Sequence, residues 1–447
     1  MRPVRSRGRV ARVLAAVAAG GLAAACTAGT GGPGAGGPKA EAKQTITLWH
    51  GFSAPNEVKA FSMALAGFHK LHPNITVKAV KGQDDEKIIQ AIRGGTPPDV
   101  VSSFTTDNVG EFCGSGAWQD LTPRLTADKV DMARFPAAVR AYTAYKGKRC
   151  ALPLLADAYG LYYNKKLLAQ AGIAGPPKTM SELAADAKRL TKRNPDGSIK
   201  TAGFMPTMNY YEYVPQHLAP LWDAHWTGPN GKSDLAADPA WTAMLTWNKK
   251  LIDWYGYDKL NTFRHGLGQE FSADNPFEKG KVAMAIDGEW RTKMIADEAK
   301  GLDYGTAPAP VADNKQNLYG GGFITGTIIG IPRGSRHADA AWELVKYLTT
   351  NTDALVTLAD NIHNVPSTLP ALRSPKLAKD PQFQTFLNIF GSPHSATNPA
   401  SPNGGAYITT FQSFVTDSYE PGKAGNLAAG LRATDTKIDR ATKLAGQ

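Results

Sequence analysis

The chain has 447 residues, of which 42% are hydrophobic and 20% are charged. This composition is typical of globular proteins and excludes collagen-like, coiled-coil and wholly disordered chains, while the length allows about three domains. The formal net charge is +11, but five arginines precede residue 13, and no run of Lys or Arg follows that would predict a nucleic-acid partner.

The first 25 residues are predicted to be a signal peptide, because the five arginines are followed by the small apolar run at 13–19. Leu22 and three alanines then lead to Cys26, which resembles a bacterial lipobox with Ala23 where a large aliphatic residue is usual. Cys26 is therefore expected to carry a lipid anchor, and an ordinary cleaved secretion signal is the alternative. Residues 26–44 are rich in Gly, Pro, Ala and Thr and are expected to form a flexible tether.

Ordered structure is predicted to begin with a strand over 45–49. Ser53, Pro55 and Glu57 then indicate a helix start. A strand over 75–79, a helix over 87–93 and a strand over 99–101 complete a β-α-β-α-β series. This order predicts an α/β fold with a parallel sheet, covered by helices, and ligand sites at the carboxyl ends of its strands.

Further along the chain, strands and helices alternate less regularly. The prolines at 308 and 310 predict a connector over 307–310, because alternating prolines are unsuited to a central strand. Trp241, Trp247, Trp254 and Trp342 lie on predicted helical faces and are assigned to the core with Tyr162 and Tyr163. The other predicted elements are strands over 158–164, 281–286 and 324–331, a turn over 194–197, and helices over 181–193, 238–254, 338–348 and 424–444.

Two cysteines remain after Cys26, namely Cys113 and Cys150. An even pair in an exported protein predicts a disulfide. No histidine lies close to either thiol in the sequence, so a structural role is favoured over a catalytic one.

Linear signatures of hydrolases are missing from the chain. It contains no His-Glu-x-x-His, no Gly-x-Ser-x-Gly and no serine followed three residues later by lysine. No metal and no cofactor is therefore expected. A glycosidase needs only two carboxylates at a suitable separation, so the absence of a motif leaves that class open.

Eight segments, in this order, carry a family resemblance: 46–50 (ITLWH), 68–77 (FHKLHPNITV), 95–100 (GTPPDV), 152–153 (LP) with 159–165 (YGLYYNK), 277–284 (FxxGKVAM), 288–290 (GxW), 320–322 (GGG) and 340–348 (AAWxxVKYL). Together they resemble the extracellular solute-binding proteins of bacterial ABC importers. The similarity is to the carbohydrate-binding branch that includes maltose-binding protein, and it covers nearly the whole chain after the leader.

The resemblance implies two α/β lobes joined by hinge crossovers, with a ligand cleft that closes between them. Lobe 1 is expected to comprise 45–155 and 320–364, and lobe 2 to comprise 156–319 and 365–447. The implied function is capture of a mono- or oligosaccharide outside the membrane and delivery to ABC permease subunits. The implied protein is a lipid-anchored monomer on the extracellular face of the cell membrane, without catalytic activity.

The expected ligand contacts are aromatic platforms, carboxylates, a guanidinium group and close backbone. Trp222 and Trp226 fall in one region, and the sequence leaves open which of them faces the cleft. The expected contacts are Trp49, His50, Asp107, Asp157, Tyr159, Trp222, Glu289, Trp290, Arg291, Gly321, Gly322, Phe323 and Tyr407.

Two alternative functions remain at this point. Trp49-His50 and the segment 81–83 also resemble a subgroup that binds glycerol phosphate or glycerophosphodiesters, for which Arg291 or the helix start at Ser53 would hold the phosphate. The second alternative is an exported glycan hydrolase that uses Asp107 and Glu289 as its two acids.

Overall fold

The computed structural model describes residues 42–377 and 380–446. The predicted signal peptide, Cys26 and most of the predicted tether lie outside the described residues. The strands are β1 Gln44–Trp49, β2 Ile75–Val80, β3 Val100–Ser103, β4 Leu152–Asn164, β5 Lys192–Arg193, β6 Ile199–Thr201, β7 Met284–Gly288, β8 Tyr304–Pro308, β9 Ile324–Gly330 and β10 Val365–Pro366.

Helices cover the sheets and form most of the last hundred residues. They are α1 Pro55–Leu71, α2 Asp85–Arg93, α3 Val109–Gly114, α4 Thr122–Ala127, α5 Ala137–Tyr142, α6 Lys165–Gln170, α7 Met180–Leu190, α8 Pro215–Trp222, α9 Pro239–Tyr255, α10 Tyr257–His265, α11 Arg291–Glu298, α12 Ala338–Thr350, α13 Thr352–Ile362, α14 Leu369–Leu372, α15 Pro381–Gly391, α16 Ala406–Phe414 and α17 Leu427–Ala445.

The predicted β-α-β-α-β opening is confirmed. Strand β1 pairs in parallel with β2 and with β3, and the larger sheet has the order β10-β4-β9-β3-β1-β2. Helix α1 begins where the sequence indicates, because the Glu57 carboxylate accepts hydrogen bonds from the backbone N–H groups of Ser53 and Ala54, both at 2.8 Å.

Strand β4 connects the two halves of the molecule. Its first half pairs with β9 as far as Ala158, which lies opposite Ile324. Its second half, from Tyr159 onward, pairs with β7 and β8 on its two sides. The long strand therefore passes from one layer of sheet into another without a break.

Two hydrophobic cores lie on either side of this passage. Ala158 belongs to the first core, which contains Ile46, Phe68 and Trp342. Tyr159, the next residue, belongs to the second core, together with many residues between 161 and 312 and others from α16 and α17. Phe386 of α15 packs in the first core, so the exact lobe boundaries stay a prediction.

Two sequence predictions are wrong. The connector predicted over 307–310 is wrong in its first half, because 307 and 308 end strand β8, whereas 309 and 310 lie outside any strand; β8 pairs only with β4 in the described part of the chain, and Pro308 is its last residue, so the edge tolerates proline. Trp254 is 39% exposed and not in the core, with the cationic groups of Lys188 and Arg193 within 6 Å of its ring centre.

The predicted disulfide is confirmed. Cys113 in α3 and Cys150 just before β4 are bonded, with their Cα atoms 5.5 Å apart. Both residues are buried in the first core, which agrees with the structural role. Among the described residues, no helix has both the length and the apolar composition needed to span a membrane.

Candidate ligand-binding site

Aromatic side chains gather around Tyr159, at the point where β4 enters the second core. The ring of His217 stacks on Tyr159 with the centroids 3.8 Å apart. Trp290 meets Tyr159 edge-on at 5.6 Å, and Phe323 lies 5.7 Å away. The structure thus brings together three of the predicted contacts: Tyr159, Trp290 and Phe323.

The Gly288-x-Trp290 motif has a direct physical reason. Strand β7 ends at Gly288, and Trp290 folds back over it before α11 begins. A Cβ atom on residue 288 would lie 2.3 Å from the Trp290 ring, which is far inside van der Waals contact. Only glycine therefore allows the indole to lie in this position.

Gly321 and Gly322 are also needed for close packing. A Cβ atom on Gly321 would lie 2.7 Å from the backbone of His394. A Cβ atom on Gly322 would lie 3.1 Å from the Tyr159 carbonyl oxygen. These two glycines bring segment 392–396 close to the Tyr159 region, and a ligand contact at either stays a prediction.

A network of charged side chains lies beside the aromatic group. Arg291 donates from Nε to Asp287 at 2.7 Å and from Nη1 to Glu278 at 3.2 Å, and its Nη2 lies 3.9 Å from Glu270 Oε1. Glu212 lies next to Glu270. The sequence indicated only Arg291 of this network, because the acids occupy loops and a strand end without a shared motif.

Burial changes the protonation of these groups. Loss of solvation, followed by the charge of Glu270, raises the pKa of Glu212 to about 10. Loss of solvation and the charge of Asp287 raise the pKa of Glu270 to about 7. Burial lowers the pKa of His217 to about 3, so this ring is neutral and its Nδ1 donates to the Glu212 carbonyl oxygen at 2.7 Å.

Two phenylalanines in polar loops are exposed, which is unusual for such side chains. Phe271 is 62% exposed, with its ring 6.4 Å from Trp290 and 5.7 Å from the Arg291 guanidinium. Phe104, just after β3, is 52% exposed and packs edge-on against Phe52 at 4.7 Å. Sequence reasoning missed both, although their position in polar loops was a usable signal.

The two residues predicted at the end of β1 lie in different surroundings. Trp49 is half-buried and pairs with Val80 and Val101 in the sheet. His50 is 1% exposed and stacks on Phe61 at 4.4 Å, and burial lowers its pKa to about 4. The contacts of His50 in this structure are thus with the protein core.

Asp107 takes part in a chain of hydrogen bonds that leads to Trp226. Asn398 donates from Nδ2 to Asp107 Oδ1 at 3.1 Å, and Trp226 Nε1 donates to Asn398 Oδ1 at 3.1 Å. Tyr407 lies 5.0 Å from Trp226, and cavities of about 320 and 330 Å³ flank the indole. Trp226 therefore lines both cavities, whereas Trp222 packs towards Trp247.

Asp157 and Glu289 meet at the crossing of β4 with the end of β7. Asn364 Nδ2 donates to Asp157 Oδ1 at 2.6 Å and to Glu289 Oε1 at 2.8 Å, and the Ala158 N–H donates to Glu289 Oε2 at 2.9 Å. Glu289 is fully buried. Loss of solvation raises the pKa of both acids, that of Asp157 to about 6.

The arrangement as a whole offers rings, carboxyl groups and amides, which are the groups that recognise sugar hydroxyls and apolar sugar faces. Within residues 42–377 and 380–446, no set of three or more His, Cys, Asp or Glu side chains is arranged to hold a metal ion. Asp107 and Glu289, the two acids of the hydrolase alternative, bond to different partners.

Comparison with known proteins gives a consistent result. Residues 54–354 match the family model for bacterial extracellular solute-binding protein. The maltotriose-binding protein of Pyrococcus abyssi is 23% identical over 399 residues, which is 88% of this chain and 81% of that protein. A maltooligosaccharide ABC transporter solute-binding lipoprotein of Streptococcus pneumoniae is 26% identical over 66% of this chain and 65% of its own length.

Solved structures confirm the predicted two-lobed α/β fold. CpMnBP1 with mannotriose bound has a TM-score of 0.74 at 27% identity, covering 88% of this chain and 99% of that chain. The GacH receptor of Streptomyces glaucescens, solved unliganded and with acarbose, has a TM-score of 0.69 at 22% identity, covering 90% of this chain and 99% of that chain.

Proposed function

Because the chain belongs to the bacterial extracellular solute-binding protein family, we propose that it captures an oligosaccharide outside the membrane and delivers it to an ABC permease. The observation that carries this function is the contact of Tyr159 with Trp290 beside the carboxyl groups of Glu212 and Glu270. Relatives named for maltotriose and maltooligosaccharide, and a neighbour with bound mannotriose, support the ligand class.

The ligand would lie against the rings of Tyr159 and Trp290, with Phe271 at the edge of the site. Phe104, which belongs to the proposed lobe 1, would contact the ligand from the opposite side. Phe323 would complete the contacts near the β4 crossover, and a ligand contact at Asp157, whose carboxyl group is held by Asn364, stays a prediction. The predicted contacts at Trp49, His50, Asp107, Glu289, Arg291, Gly321, Gly322 and Tyr407 stay predictions, and Trp226 replaces Trp222 as the proposed contact in its region.

The proposed lobes are 45–155 with 320–364, and 156–319 with 365–447, and they close around the ligand as a hinge. Strand β4 supports this proposal, because it bonds to β9 in one half and to β7 and β8 in the other. Lipid attachment at Cys26 after removal of residues 1–25 would hold the protein, as a monomer, at the outer face of the membrane, as the name of the streptococcal lipoprotein suggests.

The experiment is a calorimetric titration of residues 43–447 with maltotriose, mannotriose and their longer homologues. A ligand should bind with one site per chain, and chromatography should recover it unchanged. Trp290→Ala should weaken binding. Trp254→Ala, at an exposed tryptophan whose ring lies beside Lys188 and Arg193, should not. Absence of binding by every sugar tested would contradict the function, and consumption of the sugar would show an enzyme.

The glycerol phosphate alternative is not favoured, because the charge of Arg291 is already matched by Asp287, Glu278 and Glu270. A phosphate placed beside this guanidinium would also approach three carboxylates. The titration includes glycerol 3-phosphate to test this directly, and we expect no binding.

A further inference from the structure

The network around Arg291 contains more acid than base. Glu270, Glu278 and Asp287 all lie within 4.0 Å of the single guanidinium. Glu212 adds a fourth carboxyl, and in the described part of the chain the only basic group within 4.0 Å of it is the neutral His217, at 3.4 Å. One cationic group therefore faces four acids. Among the described residues, Glu212 is the acid that has no positively charged group within 4.0 Å.

Unpartnered atoms at the same place indicate that a polar group is missing. Tyr210 is 5% exposed, and its hydroxyl group has no hydrogen-bond partner among the described residues. Besides the neighbouring Tyr211, the groups that act on this hydroxyl are Asp287, Glu270 and Arg291, which are members of the acidic network. Glu270 Oε1 and Arg291 Nη2, which lie 3.9 Å apart, are likewise buried and without a hydrogen bond in the described residues. Buried polar atoms are rarely left unpaired, which points to a bound group that would satisfy them.

The network also opens towards solvent. The side chains of Glu212 and Glu270 keep 17% and 15% of their exposure, whereas that of Glu278 keeps 2%. The exposed Phe271 and the half-buried Trp290 lie on the open side. A ligand group could thus reach Glu212 and Glu270 past aromatic faces, which attract cations.

We propose that the ligand is an oligosaccharide with at least one free amino group, whose ammonium binds between Glu212 and Glu270. This inference rests on the proposed function and narrows its ligand class to amino sugars. An ammonium group donates up to three hydrogen bonds, which suits the free Glu270 Oε1, the Glu212 carboxylate and the Tyr210 oxygen. It also supplies the positive charge that the four acids lack, and its approach past Phe271 and Trp290 is favoured by the ring quadrupoles.

The protonation state of Glu212 supports this assignment. Burial and the charges of Glu270, Asp287 and Asp157 raise the pKa of Glu212 to about 10, so this acid holds a proton at neutral pH. Arg291, which faces Glu270 and Asp287, is the one permanent cation of the set. When an ammonium arrives, Glu212 becomes a carboxylate and its proton passes to the buffer. Binding of an amino sugar should therefore release a proton, and binding of a neutral sugar should not.

The test compares two trisaccharides that differ only at C2, the β-1,4-linked trimer of glucosamine and cellotriose. Calorimetric titrations at pH 6, where the amines are protonated, should give at least about tenfold tighter binding of the glucosamine trimer. Repeating them in two buffers with different ionisation enthalpies counts the protons released. We expect a release of more than one proton per chain for the amino sugar, because Glu270, with a pKa of about 7, also holds a proton at pH 6, and none for cellotriose, maltotriose or mannotriose.

Glu212→Gln should remove the preference and lower the proton release by the share that Glu212 contributes, because glutamine is uncharged and cannot lose a proton. Glu86→Gln on α2 is the matched control, since it removes one exposed acid outside the Arg291 network and should change neither quantity. Glu270→Gln provides a second variant at the site, and thermal melting checks that each variant is folded.

Neutral trisaccharides that bind as tightly as the glucosamine trimer would overturn the inference and leave the proposed function standing. A preference for the amino sugar that persists in Glu212→Gln would overturn the assignment to this acid. If none of the sugars binds, both the proposed function and the inference fail.

Discussion

The protein contains two pairs of neighbouring carboxyl groups with opposite surroundings. Asp157 and Glu289 are held by one amide, that of Asn364, and by the Ala158 N–H at the strand crossing. Glu212 and Glu270 bond to each other, have no such amide in the described part of the chain, and retain some exposure. The first pair is bonded as a structural element is, whereas the second leaves hydrogen-bonding capacity free, as a binding site does. Both pairs consist of acidic side chains, so it is their hydrogen-bond partners that decide the role of each pair.

The two pairs are linked by one short segment. Glu289 points into the first pair, and Arg291, two residues later, points into the network of the second. Trp290 between them turns back over Gly288. Substitutions in this segment should therefore affect both pairs, whereas substitutions elsewhere should affect only one of them.

The largest effect is expected from Asn364→Ala. Loss of the amide leaves a fully buried carboxyl and its partner with fewer hydrogen bonds, which should lower the free energy of unfolding by about 3 kcal/mol. Urea denaturation at pH 7 measures it. Asn361→Ala on α13, which loses one bond to a backbone carbonyl, is the control and should cost less than about 1 kcal/mol. Equal losses in the two variants would contradict the structural role of Asn364.

Gly288→Ala should act on both pairs. The added Cβ atom would lie 2.3 Å from the Trp290 ring, so the indole must move. We expect about 2 kcal/mol less stability, as for an overpacked core, together with at least about tenfold weaker sugar binding. Denaturation and titration measure the two effects. Unchanged binding would mean that Trp290 is not part of the site.

The pH dependence of stability should distinguish the structural pair. The pKa of Asp157 is raised from 3.8 to about 6, mainly by loss of solvation, so the folded state holds a proton that the unfolded state loses. Protonated Asp157 therefore contributes on the order of 2 kcal/mol to the free energy of unfolding below about pH 4. This contribution is lost as the pH rises through the folded-state pKa of about 6. Denaturation between pH 4 and 8 should show a steeper fall for the wild type than for Asp157→Asn. Parallel curves would contradict the raised pKa.

The smallest effect is expected from Phe271→Ala. This side chain is 62% exposed, so stability should change by less than about 0.5 kcal/mol. Sugar binding should weaken by about threefold to tenfold, because a ring face beside Trp290 is lost. Leu444→Ala, at a side chain that is 64% exposed near the C-terminus, should change neither stability nor binding. A loss of stability without a loss of affinity would place Phe271 outside the site.

Much of the fold could be predicted because the relevant signals are local. The alternation of apolar residues at 45–49 and 75–79 and the Glu57 cap identify β1, β2 and the start of α1. The disulfide followed from an even cysteine count in an exported chain. Strand β8 was missed because its proline, Pro308, is acceptable only at an edge, and strand order is not a local property.

The candidate site was predicted only in part for the same reason. Tyr159, Trp290 and Phe323 lie beside glycines that mark close packing, and those glycines can be recognised in the sequence. Glu212 and Glu270 are 58 positions apart in irregular segments, and only the folded chain makes them neighbours. The hydrogen bond that fixes the indole of Trp226 likewise runs to Asn398, 172 positions away, which no local pattern can show.

The continuity of β4 limits how this architecture can be divided. Since Leu152–Asn164 supplies backbone hydrogen bonds to both halves, neither half is a module with its own complete set of strands. Exchange of parts with a relative, whether by recombination or by engineering, cannot place a joint inside this strand without breaking pairings on both sides. The workable joints lie in the surface loops, and an exchanged half must carry β4 with it or match the partner's register residue by residue.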